Sequence, residues 1–223
     1  MKMQFDSTTL SMLGTGIWET IYMVAMSSLF SYLIGIPLGV ILVVTAKDGI
    51  KPVPVLEKIL GLMINLLRSV PFIILAIMVL PITRKVVGTT IGPEALIFPL
   101  IIAGAPYIAR MVESSFREVD AGVIEAAKSM GASTWQIIYK VLLPESKPSL
   151  LVGAAISVTT ILGYTAMGGF VGAGGLGAIA INYGYYRYET EIMFVTVAIM
   201  VIIVQIIQES FMKLSKVNDK RIR

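Results

Sequence analysis

The sequence predicts an all-α membrane protein: five transmembrane helices and one long cytoplasmic loop that holds two short helices. Three observations predict it. The 223 residues are 56% hydrophobic and only 14% charged, with a mean hydropathy of +0.84, whereas a soluble domain of this length exposes far more charge. Five apolar stretches reach the roughly 20 residues that a helix needs to cross a bilayer. The basic residues, finally, fall very unevenly between alternate connections. The chain has no cysteine and no histidine, which removes disulfides, thiolate chemistry and the commonest zinc ligands, so no metal site is expected.

The spans are expected at 18–45, 57–83, 94–112, 148–170 and 191–213. Residues 1–16 are mixed and polar, and the apolar run behind them is too long for the core of a signal peptide, so no cleaved leader is expected. The first span exceeds the bilayer thickness and should tilt or protrude. Pro99 and Pro106 are expected to interrupt the third. Proline is tolerated in a span where neighbouring helices satisfy the freed carbonyls, so this helix should be buried.

Five spans put 13 of the 18 basic residues on one side: Lys47, Lys51, Lys58, Arg110, Arg117, Lys128, Lys140, Lys147, Lys213, Lys216, Lys220, Arg221 and Arg223. The other side holds Lys2, Arg84, Lys85 and Arg187, and Arg68 lies within a span. That asymmetry predicts an outside N-terminus and a cytoplasmic C-terminus. The net charge of +4 is therefore a topology signal, and no nucleic-acid partner is expected.

Loop 113–147 reads as two short helices around a hinge. Asp120 is placed to cap the first, which runs through Glu125-Ala126-Ala127 to Met130. Gly131 suits the left-handed position that ends a helix. Ser133 then offers a second cap, with Gln136 three residues on completing a capping box. Trp135, Ile138 and Leu142 fall at i, i+3 and i+7 and are expected to share one apolar face. Pro144 is expected to stop the helix. Caps and a stripe alone also describe an amphipathic connector lying on the membrane surface.

The spacing of the loop is more specific than its caps. Glu125-Ala126-Ala127, Gly131, Leu143 and Pro144 fall in the pattern E-A-A-x3-G-x9-I-x-L-P, with Val141 in place of Ile. The chain thereby resembles the permease subunits of bacterial ABC importers. The resemblance implies that Glu125, Ala126, Ala127, Gly131, Leu143 and Pro144 form a coupling helix against a separate cytoplasmic ABC ATPase, present in two copies. The two alanines would let that partner approach closely. No phosphate-binding loop of the form G-x-x-x-x-G-K-[ST] is present. The chain is thus expected to be a non-catalytic subunit with no cofactor of its own, ATP-Mg being bound by the ATPase.

Further stretches sharpen the resemblance: WETIYM around Trp18, RSVPFIILAIMVLPITR from Arg68, APYIARMVE from Ala105 and GYTAMGGFVGAGGLG over 163–177. Together with five spans they resemble the methionine branch of these importers. That implies an inner-membrane homodimer with the pathway on its two-fold axis, fed by an extracytoplasmic methionine-binding lipoprotein. Methionine, both enantiomers, is the expected cargo. The whole chain, 1–223, would be one transmembrane permease domain surrounded by lipid, with 113–147 as its coupling loop.

Residues 163–177 hold seven glycines. Glycine costs a helix interior roughly 1 kcal/mol relative to alanine, so the fourth span should end, bend or pack closely here. Gly168 with Gly172, and Gly35 with Gly39, are small-xxx-small pairs. The segment is expected to form a hinge and dimer seam near the gate, close packing without solute contact being the plainer alternative for Gly168 and Gly169. Met167 is ordinarily a gap-filler, but the resemblance places it at the central pathway. Tyr164, Thr160 and Thr165 either line that cavity or satisfy carbonyls between helices. Arg68, the one charge well inside a span, is either a gating element or an anchor that snorkels to the headgroups. The tyrosines of loop 171–190 read mainly as an interfacial belt, or as a rim for the binding protein.

Two rival functions remain. The same machine carrying another amino acid or small solute shares the coupling loop. An ion-coupled secondary transporter would place paired carboxylates within the spans, but Glu19, Glu57, Glu94, Glu191 and Glu209 all fall near span ends.

Overall fold

The computed structural model describes residues 6–219, so Lys2, Lys220, Arg221 and Arg223 of the charge argument lie outside the described residues. Among the described residues, ten α-helices follow in order: α1 (Ser7–Thr45), α2 (Pro54–Ser69), α3 (Phe72–Val87), α4 (Pro93–Arg117), α5 (Ala121–Ser129), α6 (Thr134–Ile137), α7 (Leu143–Glu145), α8 (Lys147–Met167), α9 (Gly175–Ile179) and α10 (Thr190–Asn218). A π-helical turn, Ile138–Leu142, joins α6 to α7; a 3-10 turn, Gly168–Val171, follows α8; a second π-helical turn, Ala180–Tyr185, follows α9. No strand occurs among the described residues.

Four of the described helices, α1, α4, α8 (with the 3-10 turn) and α10, are long and apolar enough to cross a membrane, and the broken pair α2 and α3 makes five if counted as one. Four expectations need correcting in detail. The second span is not continuous: α2 ends at Ser69 and α3 begins at Phe72. Pro71 disfavours helix at the residue before it and cannot donate to the helix behind it. Pro99 and Pro106, by contrast, leave α4 unbroken because both are buried within the protein, away from lipid. The first helix starts well before residue 18, at Ser7, because Asp6 caps it: the Thr8 N–H donates to Asp6 Oδ1 at 3.0 Å. Last, α4 runs on to Arg117, so only the part of the loop beyond it is a separate structure.

The chain divides into two compact units. The first comprises Met1–Phe30, Val70–Ala103 and Val158–Ile207. Within it, Leu13, Ile179 and Ile192 form a buried cluster with Met12, Tyr183, Val195 and Ile199 packed around it. The second comprises Ser31–Ser69, Gly104–Ser157 and Gln208–Arg223. There Leu42, Ile64 and Ala109 form the cluster, with Leu38 and Leu60 against it. The Gly35 and Gly39 pair is a helix seam as expected. A Cβ on Gly35 would stand 2.8 Å from Ile108, and one on Gly39 would stand 2.6 Å from the Ala109 carbonyl oxygen, so α1 meets α4 backbone to backbone. Gly168 and Gly172 do not lie on one α-helix. Gly168 lies in the 3-10 turn, and Gly172 ends that turn at φ +76°.

Candidate functional site

Both regions that the sequence singles out are bent, and each is held differently. In the loop between α4 and α8 the first cap is Asp120, whose Oδ1 accepts the Gly122 N–H at 2.8 Å. At the far end of α5, the Gly131 N–H donates to the Lys128 carbonyl at 2.9 Å and the Ala132 N–H to the Ala127 carbonyl at 3.1 Å. With Gly131 at φ +78°, this is a Schellman ending, which satisfies two carbonyls that the helix leaves open. The second cap is a complete capping box. Ser133 Oγ accepts the Gln136 N–H at 3.3 Å and Gln136 Oε1 accepts the Ser133 N–H at 2.8 Å.

The exposed face of this loop differs from the expected one. Ile137 and Leu142 are buried, while Trp135 is 72% exposed. The cause is the π-helical turn Ile138–Leu142. It closes i→i+5 bonds, with the Leu143 N–H donating to the Ile138 carbonyl, so residues five apart share a face rather than i, i+3 and i+7. Pro144 likewise does not stop the helical path. It sits inside α7, behind the turn that redirects the carbonyls a proline cannot serve. Glu125 and Ala126 are exposed but Ala127 is buried, so only one of the two alanines is open to a partner. What the loop presents instead is Met130, at 82% exposed, with Trp135 and Tyr139. Met130 and Tyr139 escaped the sequence reading because nothing in helical periodicity singles them out.

A charged network stands at the base of the loop. Arg110 on α4 pairs with Glu113 at 2.5 Å and donates to the Gly61 carbonyl at 3.0 Å and to Asn65 Oδ1 at 2.9 Å, both on α2. Arg117 holds the other oxygen of Glu113 at 3.1 Å and lies 3.8 Å from Asp48. Glu113 is buried, and two arginines compensate its charge. In the sequence these arginines read only as topology signals. Arg68 occupies the last turn of α2, where a cation suits the helix dipole, and lies 5.6 Å from the ring centre of Tyr107. It is exposed at a helix end rather than buried mid-span.

The glycine-rich segment separates the remaining predicted residues. Met167 is 43% exposed at the end of α8, on the same helical face as Thr160 and Gly163. Tyr164 stacks on Phe72 at 4.6 Å, and Thr165 is buried, donating to the Leu162 carbonyl at 2.7 Å. Gly168 packs under Leu96, and a Cβ on Gly169 would stand 2.8 Å from the Ala178 Cα. Beyond them, Gly174 and Gly175 have φ of +83° and +75°. Two side chains of α1, Glu19 and Thr20, hold this turn: Glu19 Oε2 accepts the Gly175 N–H at 2.7 Å and Thr20 Oγ1 accepts the Leu176 N–H at 2.9 Å. The sequence showed Glu19 only as a carboxylate near a span end.

The family model of the binding-protein-dependent transport system inner membrane component matches residues 35–223. The chain belongs to that family. Within it, this permease is 47% identical to the probable D-methionine transport system permease protein MetI of Vibrio cholerae serotype O1, over 92% of this chain and 91% of the relative. It is 42% identical to the methionine import system permease protein MetP of Bacillus subtilis, over 97% and 98%. Among solved structures it is similar to a chain of the inward-facing MetNI methionine ABC transporter, with a TM-score of 0.95 at 42% identity, covering 97% of this chain and all of that one. A chain of an amino acid ABC transporter crystallised with histidines shares the fold alone, at a TM-score of 0.72 and 18% identity.

Proposed function

We infer that this chain is the membrane-spanning translocation subunit of an ATP-driven importer for methionine, both enantiomers included. The observation that carries the reading is similarity above 40% identity, along nearly the whole chain, to permeases named for methionine and D-methionine transport. The chain works as one transmembrane permease domain, as a pair of copies, with its N-terminus outside and the loop between α4 and α8 in the cytoplasm. Two ATPase subunits that bind ATP-Mg dock on that loop, and a methionine-binding lipoprotein delivers cargo from outside.

Glu125, Ala126, Gly131, Leu143 and Pro144 carry the coupling, with Ala127 seating the helix on its own chain. Double capping supports this, because a lever must keep its shape under load. Met130, Trp135 and Tyr139 extend the contact surface. When ATP draws the ATPases together, the loop moves and the pair of permeases exchanges inward-open for outward-open. Nucleotide acts through its differential affinity for the two states. The pathway passes Met167, which is 43% exposed, and Thr160 on the same helical face; Tyr164, Gly168 and Gly169 support that wall, and Arg68, at the end of α2 beside Tyr107, is a gating element in its own unit.

The experiment is uptake of labelled methionine into proteoliposomes holding this chain, its ATPase and its binding lipoprotein. Uptake should require ATP and fall at least tenfold in Glu125→Ala and Gly131→Ala complexes that still assemble. ATP-dependent uptake of a different solute would replace the cargo, and uptake driven by an ion gradient through this chain alone would overturn the mechanism.

A further inference from the structure

The glycine-rich segment hangs on α1 by side chains outside the segment itself. Glu19 and Thr20, adjacent on one turn, accept the two successive N–H groups of Gly175 and Leu176. Thr20 donates its own proton to the Gly16 carbonyl at 2.8 Å, which leaves its lone pairs for Leu176. The fit is tight. A Cβ on Gly174 would stand 2.7 Å from Glu19 Oε2, and a Cβ on Gly175 would stand 2.8 Å from both Thr20 Oγ1 and Met23 Cε. A side chain at Gly16 would run into Ile179. The turn therefore exists in this form only against α1.

Its bonds are also releasable. Thr20 is buried, but Glu19 is half-exposed and lines an open cavity of about 280 Å³ with Thr15 and Asn182, so water reaches the carboxylate when the bond opens. A carboxylate on a backbone N–H is a charge-assisted bond, stronger than a neutral one. The segment it restrains is rich in glycine, which resists ordering more than any other residue. Among the ties of this strap, the carboxylate bond is the charge-assisted one that faces water.

We propose that Glu19, with Thr20, is a latch that ties the glycine-rich segment to α1 and so holds the gate beside Met167 shut. Glu19 acts as a positioning residue. The inference rests on the proposed function in taking that segment as part of the gate.

Two readouts test it on the assembled complex. Hydrogen exchange at residues 172–180 should quicken about tenfold in Glu19→Ala, and by less in Glu19→Gln, whose amide oxygen still accepts the Gly175 N–H but without the charge. Thr20→Val, nearly the same size, should quicken exchange at Leu176. The second readout uses the absence of native cysteine: a Met167→Cys chain in spheroplasts is treated with a membrane-impermeant maleimide in the resting state. Labelling should rise severalfold when Glu19→Ala is added and clearly less when Glu19→Gln is added. Unchanged exchange in Glu19→Ala overturns the latch. Faster exchange with unchanged labelling makes the contact structural only, and also overturns it. Failure of the parent complex to take up methionine would sink the cargo reading, while both latch readouts keep their meaning.

Discussion

The loop between α4 and α8 and the glycine-rich segment after α8 are both sharply bent, yet one is held from within and the other from outside. Every bond that shapes α5 and the start of α6 joins residues no more than five apart: Asp120 to Gly122, Ala127 to Ala132, Ser133 to Gln136. The bonds that shape the turn at Gly175 come from Glu19 and Thr20, 156 residues away in the chain. A self-capped element moves as a unit and can carry a push. An externally tied one keeps its shape only while its tie holds.

The contrast breaks most visibly at glycines. Gly177 sits against the backbone of α8, where a Cβ would stand 2.5 Å from the Cα and the carbonyl oxygen of Ala166. Backbone cannot rotate aside, so Gly177→Ala should cost about 3 kcal/mol and lower the melting temperature of the purified complex more than any single change in the loop. The next largest effect belongs to the network at the loop's base. Glu113→Ala leaves Arg110 and Arg117 facing each other without their shared carboxylate. Loss of one partner of a fully buried pair costs about 3–5 kcal/mol. Arg117 is about half-exposed, so about 2 kcal/mol is expected here, read as a drop in melting temperature that Glu113→Gln only partly relieves.

That division also decided what the sequence could show. Asp120, Gly131 and the Ser133–Gln136 box were legible because a cap needs only its own neighbours, and the Gly35–Gly39 seam was legible from a period of four. The E-A-A spacing was legible as a pattern, but not which of its alanines faces outward. Hydropathy averages over about 20 residues, so it joined α2 and α3 into one span; Pro71, with its restricted neighbour Val70, was the signal available. The π-helical turn left no periodic trace and moved the buried face to Ile137 and Leu142. The Glu19 tie could not be read at all, because nothing local links residue 19 to residue 175.

Smaller substitutions in the loop sharpen the same contrast. Gly131 has φ +78° but no atom within 4 Å of a would-be Cβ, so Gly131→Ala pays conformational strain alone, about 1–2 kcal/mol. Gly131→Asn should recover part of that stability, because asparagine tolerates the left-handed region, whereas no substituent should rescue position 177. Ser133→Ala removes one arm of the capping box. That arm is a 3.3 Å bond, at the weak end of hydrogen-bond length, so the cost should lie near the low end of the N-cap range, about 0.5–1 kcal/mol. Both changes should leave hydrogen exchange at 172–180 unmoved.

The smallest effect is expected at the other end of α1, the helix that carries Glu19. Asp6 caps α1, accepting the Thr8 N–H and the hydroxyls of Ser7 and Thr8, and these bonds, the backbone one foremost, hold its carboxyl below the ordinary value of 3.8. A depressed carboxylate contributes stability that is present above its unfolded pKa and lost as pH falls through the folded one. The first turn of α1 should therefore fray only when pH drops below about 4, read as faster hydrogen exchange at residues 7–10. Asp6→Asn, which caps without titrating, should remove that pH dependence. Because the cap is local, exchange around Gly175 should not follow it, and if it does, the tie at Glu19 depends on the whole of α1 rather than on the turn that bears it.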